Sequence, residues 1–298
     1  MRRMYLILNG KSSQRDDVRA AVAHVREQGY QLEVRVTYDA DDAARFARDA
    51  VCREADERPD VIVAGGGDGT LNQVVAAAIE ADAGTRCAFA LLPLGTANDF
   101  AAGLDIPVDP QAALVLAASG TPRKIDIGRI NDRVFVNVAS GGTVTRITRE
   151  ADPRAKRLLG GAAYLIAGAS RIGELTPTRA SFSADGFSWE GQFLAMAIGN
   201  GRLAGGGVPL CPEAKVDDGR LDLMLFPQPE ADHVLSLLSS LLREPDGDLQ
   251  GYATRASFTS LRVDAEEELS LNLDGEPMSA SRLDVKVEPG ALRFVSRA

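Results

Sequence analysis

The chain has 298 residues, 45% of them hydrophobic and 25% charged, with a formal net charge of −9. The length favours two domains over one, and the balance of residue types excludes a disordered or collagen-like chain. The acidity argues against a nucleic-acid partner, which would need a basic face for phosphates, and against attachment to anionic membranes by overall charge.

In chain order, the start Met-Arg-Arg-Met-Tyr-Leu-Ile-Leu-Asn-Gly has too short an apolar run for a signal peptide, and Tyr5–Asn9 reads as a first strand. Helical spacing at Val18, Ala21, Val22 and Val25 leads to a strand at Leu32–Thr37. A second helical stretch, with Ala43, Phe46, Ala47 and Ala50, precedes strands at Val61–Gly65 and Ala88–Pro93. Alternating strand and helix predicts a doubly wound parallel α/β domain, with ligands at the carboxyl ends of its strands. Thr37 ends the second strand with a hydroxyl at that edge, although an ordinary β-branched strand residue would look the same.

From about Lys124 the period becomes two. The expected strands are Lys124–Ile130, Arg133–Ala139, Ala180–Ala184, Gln192–Gly199, Leu221–Phe226, Ser257–Asp264, Leu269–Asp274, Arg282–Glu288 and Leu292–Ser296. Two helical insertions are expected at about Arg154–Ile172 and Ala231–Leu242. The expected domains are 1–123, α/β, and 124–298, β-rich, with the last strand a candidate to return to the first domain. The longest nearly apolar stretch, Leu158–Ser170, falls short of the roughly 18 residues of a membrane span, so a cytoplasmic protein is expected. Cys52, Cys87 and Cys211 are widely spaced and lie away from His24 and His233. They fit neither a zinc site nor a disulfide framework, and a His-based triad has no support.

The strongest local signal is Val61-Ile-Val-Ala-Gly-Gly-Gly-Asp-Gly-Thr-Leu-Asn-Gln. A strand runs through Gly65, Gly66, Gly67, Asp68, Gly69 and Thr70 into a helix whose N-terminal N–H groups suit phosphate. Thr70 replaces the third glycine of a dinucleotide fingerprint, and Tyr5 occupies the first glycine position of a Walker A loop before Gly10-Lys11-Ser12, so neither motif is present. Asp68 is the oddity. A carboxylate about 4 Å from a phosphate oxygen is repelled by roughly 4 kcal/mol at an effective dielectric of about 20. It therefore needs a bridging magnesium ion, a proton or a hydrogen bond; the plainer reading is a helix N-cap. Phe89-Ala-Leu-Leu-Pro-Leu-Gly-Thr-Ala-Asn-Asp repeats the grammar, with Gly95-Thr96 at the turn and Asn98 or Asp99 available as a cap. In the second half, Leu273-Asp-Gly-Glu-Pro presents Glu276 at a strand end, suited either to a general base or to a plain Asp-Gly hairpin. Lys215-Val-Asp-Asp-Gly-Arg is a further acidic turn.

Gly66-Gly67-Asp68-Gly69-Thr70, Pro93-Leu94-Gly95-Thr96-Ala97-Asn98-Asp99-Phe100 and Leu273-Asp274-Gly275-Glu276, in this order and separation, resemble the diacylglycerol kinase catalytic family, and in particular its YegS-like bacterial lipid kinases. Ile7-Leu8-Asn9-Gly10-Lys11-Ser12, Gly199-Asn200-Gly201-Arg202, Gly205-Gly206-Gly207 and Asp218-Gly219 add to the resemblance, which spans essentially the whole chain. It implies an ATP-binding α/β domain of the phosphofructokinase and NAD-kinase kind, followed by a β-sandwich. It also implies ATP contacts at Thr37, Gly67, Asp68, Gly69, Thr70, Leu71, Asn72, Gln73 and Thr96, with Glu276 as proton acceptor and Asp68 as the second catalytic candidate. A magnesium site is implied at Asp218 with the main chain of Lys215 and Arg220, where Ca²⁺ is an alternative. Much of the broader family carries Asn-Pro where this chain has Asn9-Gly10, which weakens any direct role for Asn9.

The implied activity is ATP- and magnesium-dependent phosphorylation of a lipid hydroxyl, such as that of phosphatidylglycerol or diacylglycerol, by a phospholipid-biosynthetic enzyme working transiently at the inner membrane face. The alternatives are a kinase of a small soluble alcohol or NAD, and a nucleotide-binding regulator without catalysis. The residues imply no protein partner. The basic flank at Arg146–Arg179, where Arg146, Arg149, Arg154, Lys156, Arg157, Arg171 and Arg179 outnumber Glu150, Asp152 and Glu174, is the candidate for peripheral membrane contact, while the apolar helical stretch within it suits either an interface or packing on the β-sandwich.

Overall fold

The computed structural model describes residues 2–81, 83–142, 176–228 and 253–297. Its first part runs β1 (Arg3–Asn9), α1 (Asp16–Glu27), β2 (Gln31–Thr37), α2 (Asp42–Val51), β3 (Val61–Gly66), α3 (Asp68–Glu80), β4 (Ala88–Pro93), α4 (Asp99–Gly103) and α5 (Pro110–Ser119). These strands lie parallel in the order β2-β1-β3-β4. Both β3 and β4 are buried at every position, which explains their unbroken apolar runs. Helices α1 and α5 cover one face, packing Val18, Ala21, Val25, Leu114 and Ala117 on Leu6, Val63 and Leu92. Helices α2 and α3 cover the other, with Ala43, Ala47, Leu71 and Val74 on Ile7, Ile62 and Leu91. Helix α5 starts where the Asp109 carboxylate accepts the Ala112 N–H at 2.8 Å and Pro110 fills the first turn. The strands end together at Asn9, Thr37, Gly66 and Pro93, and strand order reverses at β1, the place where such sheets open a crevice.

The second part adds β5 (Pro122–Ile130), β6 (Arg133–Phe135), β7 (Val138–Gly142), β8 (Thr178–Ala184), β9 (Phe187–Gly199), β10 (Leu221–Pro227), β11 (Thr254–Phe258), β12 (Ser260–Leu273) and β13 (Glu276–Val295). Its core gathers Phe182, Phe193, Ile198, Leu223, Leu261, Val263, Leu271 and Leu283. Phe182 meets Trp189 and Phe193 edge to face, with centroids 5.5 and 5.4 Å away. Strand β13 runs antiparallel to β12 and β5, and its Phe294 lies parallel beside Phe89 of β4. Phe100 of α4 then packs edge-on against Phe294 at 5.3 Å. One carboxyl-terminal strand is thus hydrogen-bonded into both halves.

The strands depart from their expected limits in informative places. The expected single strand Arg133–Ala139 breaks after Phe135, because the N–H groups of Val136, Asn137 and Val138 turn onto the Asp274 carboxylate instead of a neighbouring strand. The expected gap between Asp264 and Leu269 closes: β12 passes through the exposed Glu266-Glu267-Glu268 as a register shift against β13. Likewise Arg282–Glu288 and Leu292–Ser296 merge in β13, with a shift against β5 between Glu288 and Leu292 and a left-handed Gly290 within it. The two expected helical insertions, and most of the basic segment 146–179, lie outside the described residues. Among the described residues no helix is long and apolar enough to cross a membrane.

Candidate active site

Strand β3 passes through Gly67, the N-cap, directly into α3, so the first N–H groups of that helix open on the carboxyl edge of the sheet. The second loop presses against the first. The Leu94 N–H donates to the Gly66 carbonyl at 2.8 Å, and a Cβ added at Gly95 would stand 2.6 Å from the Gly67 Cα. Only glycine lets these backbones meet. Thr70 lies back against Gly66, and Thr96 is exposed at the tip of its turn. Thr37 accepts the Gly10 N–H on Oγ1 at 3.3 Å. The edge therefore collects Thr37, Gly67, Asp68, Gly69, Thr70 and Thr96. Leu71 and Asn72 differ from these: the Leu71 side chain is in the core and the Asn72 amide is buried, so neither side chain faces the open edge.

Asp68 begins α3 but caps a different helix. Its carboxylate accepts the N–H groups of Asp99 and Phe100, both at 3.2 Å, at the start of α4. Asn98, the residue the sequence offers for that cap, is left-handed (φ 53°) and closes its own loop instead, accepting from Gly95 N–H at 2.8 Å and donating to the Gly95 carbonyl at 3.0 Å. Burial raises the Asp68 carboxyl above its ordinary range; the Phe100 N–H pulls it down, and the negative Asp99 nearby pushes it up again. Asp99 in turn accepts the N–H groups of Gly206, at 3.0 Å, and Gly207, at 2.6 Å. A chain of hydrogen bonds thus runs from the phosphate-type loop to the glycine-rich loop of the second part.

The Asp274-Gly275-Glu276 turn reaches the same helix. Gln73 Nε2 donates to Glu276 Oε1 at 3.0 Å, and Asn72 Nδ2 donates to Asp274 Oδ2 at 2.9 Å. Asp274 also accepts from Val136 at 2.5 Å, Asn137 at 3.1 Å and Val138 at 2.9 Å, all main-chain N–H groups. Burial nevertheless pushes its carboxyl up to about 6 against those donors. Asp274, read in the sequence as a hairpin residue, is thus the buried anchor of the turn that presents the half-buried Glu276. The sequence signal was the Asp-Gly pair, which fits the left-handed conformation Asp274 adopts (φ 50°), but nothing local indicated its burial.

The acidic turn at Lys215–Arg220 is of another kind. Asp218 is exposed and, among the described residues, accepts only its neighbour Arg220 N–H, at 3.0 Å. The Arg220 guanidinium is drawn away to Ser257, donating to its Oγ at 2.9 Å and its carbonyl at 2.5 Å. Asp222 is raised by burial first and by the charge of Asp218 second, a crowding of negative charge that a cation would relieve. Among the described residues no cluster of His, Cys, Asp and Glu side chains forms a metal site. The cation site that the family resemblance implies would draw on Asp218 and the carbonyls of Lys215 and Arg220, an all-oxygen set of the kind hard cations take.

Fold and site together define a phosphate-handling α/β unit to which a β-sandwich contributes a carboxylate at the same edge. Residues 3–130 match the diacylglycerol kinase catalytic domain, and residues 137–296 match the YegS C-terminal NAD kinase beta sandwich-like domain. A protein of Stenotrophomonas maltophilia named "Probable lipid kinase YegS-like" is 43% identical, covering 98% of this chain and 95% of its own. A protein of the same name from Pseudomonas aeruginosa is 45% identical over 98% and 93%. A solved diacylglycerol kinase structure from Bacillus anthracis superposes with a TM-score of 0.78 at 20% identity, covering 99% and 97% of the two chains, which is a likeness of fold. The chain belongs to the diacylglycerol kinase catalytic family, in its YegS-like branch, and is an enzyme of the lipid-kinase class.

Proposed function

We propose that the protein transfers the terminal phosphoryl group of ATP to the hydroxyl of a glycerolipid, with Glu276 as general base. The observation that carries this reading is the hydrogen bond from Gln73 on the phosphate-loop helix to Glu276. It joins a carboxylate of the second part to the N-terminal region of α3, where phosphates would lie. The Gln73 amide orients Glu276 and leaves its second oxygen to accept the proton of an incoming hydroxyl. Asp68 is the weaker base, because both of its oxygens already accept main-chain N–H groups that fix α4. Its role is to hold the two glycine loops in register and present negative charge to a metal. Magnesium, when bound, neutralises the phosphate charge that builds up in transfer. The Gly67–Thr70 loop, Thr37 and Thr96 form the nucleotide-binding edge.

A kinase of small soluble alcohols is the second reading; the YegS-type second half and its lipid-kinase relatives favour a lipid. The test incubates the full chain with labelled ATP, magnesium and micelles of diacylglycerol or phosphatidylglycerol, alongside glycerol and NAD, and resolves products by mass. Label in lipid alone supports the proposal; label in glycerol or NAD alone overturns it. The action at the inner membrane face rests on this same lipid acceptor and on the basic segment 146–179.

A further inference from the structure

A single exposed apolar residue is ordinary on a protein surface. Tyr38 is set apart by its mount and its place. It is 93% exposed, yet its main chain is fixed. The buried Asp42 carboxylate accepts the Tyr38 N–H at 2.8 Å and the Asp39 N–H at 3.1 Å, and is itself gripped by Arg45 at 2.5 Å. These bonds fix the main chain from which the ring projects, while the ring itself buries almost no area and so adds little to the fold.

Its place is the carboxyl edge of the sheet. Asn9 lies opposite Thr37 and Leu8 opposite Gly65, so β2 and β3 end level on either side of β1. Tyr38 and Gly67 each follow the end of their strand, two inter-strand steps apart, or about 10 Å. That is the span from the base of a nucleotide to its outer phosphates. Between them, just past the end of β1, Gly10 carries no side chain, and a Cβ added there would fall 2.3 Å from the Thr37 carbonyl oxygen.

We propose that Tyr38 is the stacking platform for the nucleotide base, with the ribose over Gly10 and the phosphates at Gly67–Thr70. The proposal deepens the ATP-site reading and rests on it. A π-face accepts any base, so the contact supplies affinity without discriminating strongly between purines.

The experiment measures binding of ATP with magnesium, and of inorganic tripolyphosphate as a probe without a base, to the full chain by titration calorimetry. Tyr38→Ala is expected to weaken ATP binding by about 10-fold or more. Tripolyphosphate affinity and melting temperature should stay at parental values, and Tyr38→Phe and Tyr38→Trp should restore ATP binding. Parental ATP affinity in Tyr38→Ala overturns the platform while leaving the kinase reading intact. An equal loss for both probes also overturns it, since that marks damage to the loop. A parent chain that binds no ATP overturns the kinase reading and the platform together.

Discussion

The second half of the chain contains two turns that look alike in sequence, Leu273-Asp274-Gly275-Glu276 and Asp217-Asp218-Gly219-Arg220. Each is an acidic residue before a glycine, and Gly219 and Gly275 both take positive φ. Their surroundings are opposite. Asp274 is buried among four donors drawn from α3 and from the main chain of Val136, Asn137 and Val138. Asp218 stands in solvent with one donor from its own turn. The same local grammar thus serves a buried anchor for the turn that carries Glu276, the base proposed above, in one case and an open, exposed turn in the other. Distant donors and depth make the distinction.

The sharpest break of this comparison is Glu276→Gln. It keeps the size of the side chain and removes the base, so turnover should fall by about 10²- to 10⁴-fold with ATP affinity unchanged. Steady-state kinetics on lipid micelles with parallel ATP titration checks this; loss of ATP binding at constant turnover would reassign the residue to nucleotide binding.

Asp274→Asn acts on the anchor. The new amide must point donors at Val138 N–H on one side or at Asn72 and Val136 on the other, so unfolding free energy should fall by about 3 kcal/mol. Urea unfolding measures it, and a change below about 0.5 kcal/mol, the range of ordinary surface substitutions, would contradict the buried network.

The anchor also sets a pH dependence. The folded carboxyl of Asp274 is raised to about 6 from 3.8, so the fold binds this proton more tightly than the unfolded chain does. Its contribution is full below about 4 and is lost as pH rises through about 6. Asp42 works in the other sense. The N–H of Tyr38, then that of Asp39, then Arg45 hold it down to about 2, so its contribution is present above about 4 and lost as pH falls through 2. Subtracting Asp274→Asn melting curves from parental ones between pH 4 and 7 should leave a slope that flattens above the upper value. A flat difference would count against the raised carboxyl.

The smallest effect is expected at the open turn. Without added metal, Asp218→Ala should change stability by less than about 1 kcal/mol, as for other exposed residues. It should also remove any upward shift of melting temperature by magnesium in the absence of ATP. A variant that keeps the parental magnesium response would place the cation elsewhere.

Much of the first half was legible because burial on both faces writes itself into sequence. Strands β3 and β4 are continuous apolar runs, and the glycines after them mark a backbone that must approach something closely. The Asp68 loop was legible as a phosphate-type loop, but its partners were not: they are the N–H groups of Asp99 and Phe100, brought by the next strand and turn. The break after Phe135 was invisible, since Val134 to Ala139 is an apolar run interrupted only by Asn137 and reads as one strand, and the carboxylate that breaks it lies at Asp274.

By itself, then, the sequence determined the parallel α/β core, the period-two second half, and the glycine and acid chemistry of the loops, because each depends on residues within one or two turns of each other. Tertiary structure alone decided which acid is buried, which one faces solvent, and that Gln73 meets Glu276. Hydrogen bonds between residues so far apart in the chain depend on the pairing of β13 with β5 and β4, and no local pattern records which distant donors that closure brings.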